Sequence, residues 1–408
     1  MGEWNKTNLS NYIEVINGFA FKSKNFLDEQ IDNSLPIIKI KNVANGDVNL
    51  NSVQYHEYDT SLSKYLIENG DILIALTGNH PQALTQVVGQ TSRYKLRDKA
   101  LLNQRVAKII AKDNLSHDFL YYFLKDEWTH EYLANQSSGS ANQANISKRD
   151  IEALPILLPP LKEQTTIAEV LSFLDDKIDL LHRQNKTLEE LAQTLFRQWF
   201  IEEAKDEWEE SIGNTSIQII DGDRGKNYPK STEFFSNEYC LFLNAKNVTS
   251  QGFDFSVCNF ITKEKDELLR SGKLKRNDII LTTRGTVGNL AFYDNLIEYE
   301  NIRINSGMVI FRSEDISPIY LYTLMKSQYF TDSIIEQTSG SAQPQLPIRD
   351  IKNIKIIIPP KDIVDKFSME VNPMYEKINH NKKQIKTLEN MRDTLLPKLM
   401  SGEVRVKL

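Results

Sequence analysis

The chain has 408 residues, too many for one domain of ordinary size and enough for two cores with connecting helices. About 40% are hydrophobic and 25% charged, which excludes a disordered tail or a collagen-like fibre. The net charge of −6 excludes a uniformly basic nucleic-acid binder, so any phosphate contact must rest on local clusters of Lys and Arg.

Residues 1–159 alternate short β-rich runs with turn clusters. Pro36 to Val43, Asp71 to Leu76 and Arg105 to Ile110 read as strands and Phe119 to Lys125 as a helix, giving a mixed α/β domain whose strand order stays open. After Pro159-Pro160 the apolar positions Ile167, Leu171, Leu174, Ile178, Leu181, Asn185, Leu188, Ala192 and Leu195 step by alternating threes and fours, which is a coiled-coil seam. About 40 residues from Leu161 make a rod of roughly 60 Å, which cannot bury its stripe alone. Glu202 to Glu210 (EEAKDEWEE) places six carboxylates around one lysine and reads as a solvated linker.

The chain then repeats itself at an offset of about 200 residues. Lys41-Asn42-Val43 falls on Lys246-Asn247-Val248, Asp71 to Gly78 (DILIALTG) on Asp278 to Gly285 (DIILTTRG), and Gln136 to Ala141 (QSSGSA) on Gln337 to Ala342 (QTSGSA). Arg149-Asp150-Ile151 falls on Arg349-Asp350-Ile351, and a second apolar strand ends in Pro359-Pro360. Varied blocks in the same order mean duplication. The second seam, Phe367, Val371, Met374, Ile378, Asn381, Ile385, Leu388, Arg392 and Leu395, is weaker but in the same phase. Each seam holds one asparagine, at different heights: either a buried amide that fixes register or a partly exposed site.

This predicts an α+β chain in four segments: domain 1–159, long helix 160–203, domain 204–359 and a second long helix 360–408. The second domain follows the first helix through a short linker and itself leads into the second helix. Two similar mixed α/β domains are therefore expected to be separated by an antiparallel two-helix coiled coil with pseudo-two-fold symmetry. Such a chain suits a pseudo-two-fold ligand, of which duplex DNA is the obvious candidate. Because the domains differ in sequence, an asymmetric two-part target with an unread spacer follows.

The duplicated SG(S)…RDI…PP pattern followed by a heptad helix resembles the specificity subunit of type I restriction-modification enzymes, and the resemblance covers the whole chain. Its carriers are PILLPPLKEQTTIAEVLSFLDDKIDLL at Pro155 to Leu181, LEELAQTLFRQWF at Leu188 to Phe200, and LENMRDTLLPKLMSGEVRV at Leu388 to Val406. The resemblance implies two target-recognition domains on double-stranded DNA and helical regions that dock two modification (methyltransferase) subunits, with restriction (translocase/nuclease) subunits joining them. It also implies no catalytic activity in this chain, S-adenosylmethionine, ATP and magnesium being bound by those partners. PPKDIVDKF, where the first copy has PPLKEQTTI, departs from the pattern, so docking there is expected to differ in detail.

Independently, the sequence has no GxxxxGK[ST] loop, no [DN]PP[YF] motif and no His/Glu/His metal spacing, so no cofactor is assigned to it. Two cysteines, Cys240 and Cys258, without a CxxC pair exclude a disulfide scaffold and point to the cytoplasm. No stretch reaches the ~18 apolar residues of a bilayer span, so no membrane contact is expected.

DNA contacts are expected first from KLKRNDIILTTRGT, which carries Lys273, Lys275, Arg276 and Arg284. At the turn beside Gly285, Arg284 is placed for a guanine edge or a phosphate, against the plainer reading of a solvated turn arginine. The matching turn, Thr77, Gly78, Asn79 and His80, is polar but uncharged. In the SGSA loops the shared Ser138, Ser140, Ser339 and Ser341 favour turn structure over phosphate contact, while Asn142, Gln143, Gln343 and Gln345 differ and suit base reading. Lys22 and Lys24 are further candidates, as are Asp223, Arg224, Lys226 and Asn227 in a glycine-bearing loop that reads as mobile. Lys41 and Lys246 suit framework or DNA equally, and the six scattered histidines suggest no metal site. A duplicated adaptor that binds proteins, and an enzyme with degenerate motifs, are the competing readings.

Overall fold

Ile72–Ala75 and Ile279–Thr282 are buried along their whole length, which places both at the centre of a sheet. The structure, a computed structural model, describes residues 4–43, 47–79, 88–140, 143–338 and 344–407. It divides into unit one, residues 1–180 with 385–408, and unit two, residues 181–384.

In unit one the antiparallel strand order is Ile13–Asn17, Val106–Ala111, Ile72–Ala75, Thr91–Arg93. Unit two repeats it as Gln218–Asp221, Met308–Arg312, Ile279–Thr282, Leu290–Phe292. A second sheet holds the parallel pair Ser34–Ile38 with Ala100–Leu102 in one unit and Cys240–Leu243 with Ile302–Ile304 in the other. The helices correspond as well: His117–Lys125 and Glu127–Gln136 against Pro318–Lys326 and Gln328–Gln337. One close approach is also duplicated. A Cβ on Gly18 would stand 2.1 Å from the Asn103 carbonyl oxygen, and one on Gly222 would stand 2.1 Å from that of Asn305, so only glycine fits either place.

Two sequence expectations need correction. The strand expected over Pro36 to Val43 is Ser34–Ile38, after which Ile40–Val43 turns into a short helix. The cause is buried Asn42, whose Oδ1 accepts from Lys39 N at 3.1 Å while its Nδ2 donates to Asn51 O at 3.2 Å. Asn247 clasps its own loop in the same way, accepting from Asn244 N and donating to Asp254 O and Val257 O. The acidic run is solvated only in part. Trp208 is buried, and Glu209–Ser211 forms an edge strand on Lys355–Ile357.

Every expected seam position is buried or half-buried, and within each unit the long helices Leu161–Arg197 and Lys361–Ser401 run antiparallel. In unit one Glu163 meets Arg405 at 2.5 Å and Asp175 meets Arg392 at 2.9 Å, the first partner advancing as the second retreats. In unit two Asn381 Nδ2 donates to Asn185 Oδ1 at 2.8 Å, and Phe200 packs edge-on to Phe367 at 5.0 Å. The two asparagines, at different heights along the repeat, thus face each other once the helices are reversed. Both are buried, so of the two roles open to them they take that of the register-fixing amide.

Replacing Asn381 by leucine leaves the Asn185 amide against hydrocarbon and is expected to cost about 1–3 kcal/mol. The double leucine variant is expected to recover that loss. Urea midpoints measure both, and a double variant weaker than the single would contradict this account.

Candidate nucleic-acid interface

In each unit the end of the central strand is held between two other segments by backbone bonds. Leu76 N donates to Arg105 O at 2.9 Å and Ile146 N donates to Leu76 O at 2.9 Å. In unit two, Thr283 N donates to Gly307 O at 2.8 Å and Leu346 N donates to Thr283 O at 3.0 Å. Thr77 therefore lies opposite Asn145, and Arg284 opposite Gln345. The turn and the exit of the SGSA loop, singled out separately in the sequence, converge in both copies.

The anchors are apolar and the tips polar. Ile146 and Leu346 are buried, and the short helices that follow them bury Ile151 and Ile351. A capping box between Ser147 and Asp150 fixes the start of Lys148–Glu152, which explains the shared RDI motif in the first copy. Gly285 sits at φ +74° with open space around it, a backbone state that suits glycine.

The two tips differ chemically. In unit one Thr77 Oγ1 donates to Asn145 Oδ1 at 2.8 Å, and Arg105 Nη1 lies 3.3 Å from each of those oxygens. In unit two Arg284 is exposed, and no hydrogen bond or ion pair holds its guanidinium among the described residues. Gln345 is exposed beside it.

The other candidates scatter. Lys22, Lys24, Lys226 and Lys275 are exposed. Lys41 Nζ donates to Ser52 O at 2.7 Å, Lys246 is exposed next to the clasp of Asn247, and Arg224 pairs with Asp221 at 3.0 Å. Asn79 follows the turn in unit one, and Ser138 is exposed on Ser138–Ser140. His80, Asn142, Ser339, Ser341 and Gln343 lie outside the described residues, as do the side chains of Ser140 and Gln143.

Three expectations are corrected. Lys273 is no open cation: its ammonium binds Asp266 at 2.5 Å and Asn301 at 3.1 Å, and Asp266 also binds buried Arg303. Burial alone would push the Asp266 carboxyl up, but Lys273 and Arg303 hold it below its ordinary value. A buried carboxylate requires such partners, so this basic cluster serves the framework. The thiol of Cys240 is pushed up to about 12, first by burial and then by Asp266.

Arg276 stacks on Tyr293 with 4.3 Å to the ring centre and donates to Ile297 O at 2.9 Å. The loop at 223–227 is tied down, with buried Asp223 accepting from Gly225 N at 2.6 Å and Arg270 N at 2.7 Å, and Asn227 donating to Leu268 O at 3.1 Å. Sequence reasoning also missed Arg105. No sequence signal marked it: the offset that carries Leu76 to Gly78 onto Thr283 to Gly285 carries Arg105 onto Arg312, and only the backbone bonds set it against Gly307.

Residues 1–190 and 212–390 match the family described as the Type I restriction modification DNA specificity domain, and the chain belongs to that family. It is 32% identical to the type I restriction enzyme MjaIX specificity subunit of Methanocaldococcus jannaschii, over 75% of this chain and 73% of that one. It is 23% identical to the EcoBI specificity subunit of Escherichia coli, over 98% of this chain and 86% of that one. A solved type I restriction-modification S subunit from M. genitalium shares the fold, with a TM-score of 0.57 and 18% identity over 97% of this chain and 96% of that one.

Proposed function

We propose that this chain is the DNA-specificity subunit of a type I restriction-modification complex, each unit reading one part of an asymmetric, two-part duplex target. The observation that carries this reading is the duplicated convergence of turn and loop on one scaffold, with unlike polar tips, Thr77, Asn145 and Arg105 in one copy and Arg284 and Gln345 in the other. One framework that exposes Arg105 in one copy and Arg284 with Gln345 in the other, Thr77 being buried behind the first, gives two specificities.

In this reading the chain performs no chemistry of its own. Two modification subunits dock on its helical regions, bind S-adenosylmethionine and methylate adenine, while restriction subunits use ATP and magnesium. Among the described residues no helix is long and apolar enough to cross a membrane.

Binding to a duplex library of randomised sequence, with the modification subunits present, tests the proposal. Enrichment of a two-part motif is the expected result, and a complex without sequence preference sinks it. A protein-binding adaptor is set apart by salt: several phosphate contacts give a steep fall of DNA affinity with ionic strength. Arg284→Ala is expected to relax reading of one half-site by about 1–3 kcal/mol and leave the other intact. Equal losses on both halves would contradict the assignment.

A further inference from the structure

We infer that Arg105 reads the first half-site, supplying from the neighbouring strand the guanidinium that Arg284 supplies in the second unit. The inference rests on the specificity reading above and names its residue.

The backbone bonds that superimpose the two copies place Thr77 in correspondence with Arg284, and Arg105 with Gly307. Each junction thus has one arginine, from the central strand's turn in unit two and from the approach to the adjacent strand in unit one. The duplicated scaffold offers the same place to a guanidinium by two routes, and a net-acidic chain uses one route per copy.

The environment of Arg105 is that of a presented side chain. It is exposed, and no carboxylate pairs with it among the described residues. Its hydrogen bonds, to Thr77 Oγ1 and Asn145 Oδ1, are both long at 3.3 Å and both run through Nη1. Thr77 and Asn145 are themselves fixed to each other at 2.8 Å, so they steady one corner of the fork. Nε and Nη2 have no partner among the described residues. That leaves a planar pair of donors, the number and geometry that the O6 and N7 acceptors of a guanine edge require.

Contrast this with Arg276 and Arg303, whose guanidinium groups are satisfied inside the fold by carbonyl oxygens, a ring face or a carboxylate. A framework role for Arg105 would predict the same saturation.

The test uses the full chain assembled with its modification subunits and a randomised duplex library whose bound fraction is sequenced. Arg105→Ala is expected to lower affinity for the wild-type motif by about 10- to 100-fold and to erase preference at one base pair of one half, the other half being unchanged. Arg105→Lys is expected to lose the same preference, because an ammonium lacks the fork. Unaltered selection by the alanine variant overturns the inference. So does an equal loss on every duplex with a shallower salt dependence, the mark of a phosphate contact. Loss of both halves together, or a lowered melting temperature, assigns Arg105 to the framework instead. A wild-type complex that selects no motif overturns the specificity reading, and this inference with it.

Discussion

Phe367→Ala is expected to destabilise unit two by about 3–5 kcal/mol, the usual cost of emptying a large aromatic site in a core that cannot collapse onto it. Phe367 is fully buried, and its ring lies 5.0 Å from Phe200, 5.9 Å from Trp199, 6.0 Å from Tyr320 and 6.1 Å from Phe196. Its four aromatic neighbours are stiff rings that fill a void poorly. Tyr320 is moreover pinned, its hydroxyl donating to Ile357 O at 2.7 Å. Chemical denaturation reads the effect, and Phe367→Leu should retain most of the stability. A shift under about 1 kcal/mol for the alanine variant would show that the cluster repacks.

Arg392→Ala is expected to cost unit one about 3 kcal/mol, because it takes from a buried carboxylate its closest cationic partner. Asp175 binds Arg392 at 2.9 Å and accepts from the Tyr122 hydroxyl at 2.9 Å, with Lys125 at 3.7 Å. Burial alone would push its carboxyl up, but Lys125, Arg392 and the Tyr122 bond outweigh that and hold it below the ordinary 3.8. Glu163 is likewise held down, chiefly by its bond to Arg405.

A carboxyl lowered in the folded state contributes stability that is present above its unfolded value and lost as pH falls through the folded one. Melting temperature is therefore expected to fall on acidification below about pH 4. Asp175→Asn and Arg392→Ala should both flatten part of that fall, the first by removing the carboxyl and the second by removing a group that holds it below its unfolded value. A pH profile unchanged in both variants would remove the ion pair from the account.

The parts of this fold legible in the sequence are those governed by periodicity. Ile167 to Leu195 showed the seam because a helix facing another helix must repeat its apolar positions, and Asn185 and Asn381 stood out as breaks in it. The turn at Arg284 was legible because a glycine beside an arginine, directly after an apolar run, marks where a buried strand gives way to a solvated bend. Residues whose role is set by a distant partner were not legible. Lys273 looks like a free cation until Asp266, on another segment, is seen beside it. Trp208 sits in an acidic run that conceals its burial, and Asn42 ends a strand with a side-chain bond that no pattern announces. Arg105 belongs to the same group, since its neighbours Thr77 and Asn145 lie far from it in the chain.

Unit one is assembled from two separated pieces of chain, and its core includes Leu396, Leu399 and Met400. On the ribosome those three residues emerge long after Leu180. At about 5–20 residues per second the wait is on the order of 10 to 40 s. Through that interval the faces of Ile167, Ala168 and Leu171 that the last helix covers stay uncovered, while unit two, continuous from Leu181 to Gln384, can finish first. The half of the molecule translated first is thus the half completed last, and newborn chains should be most prone to aggregate in that window.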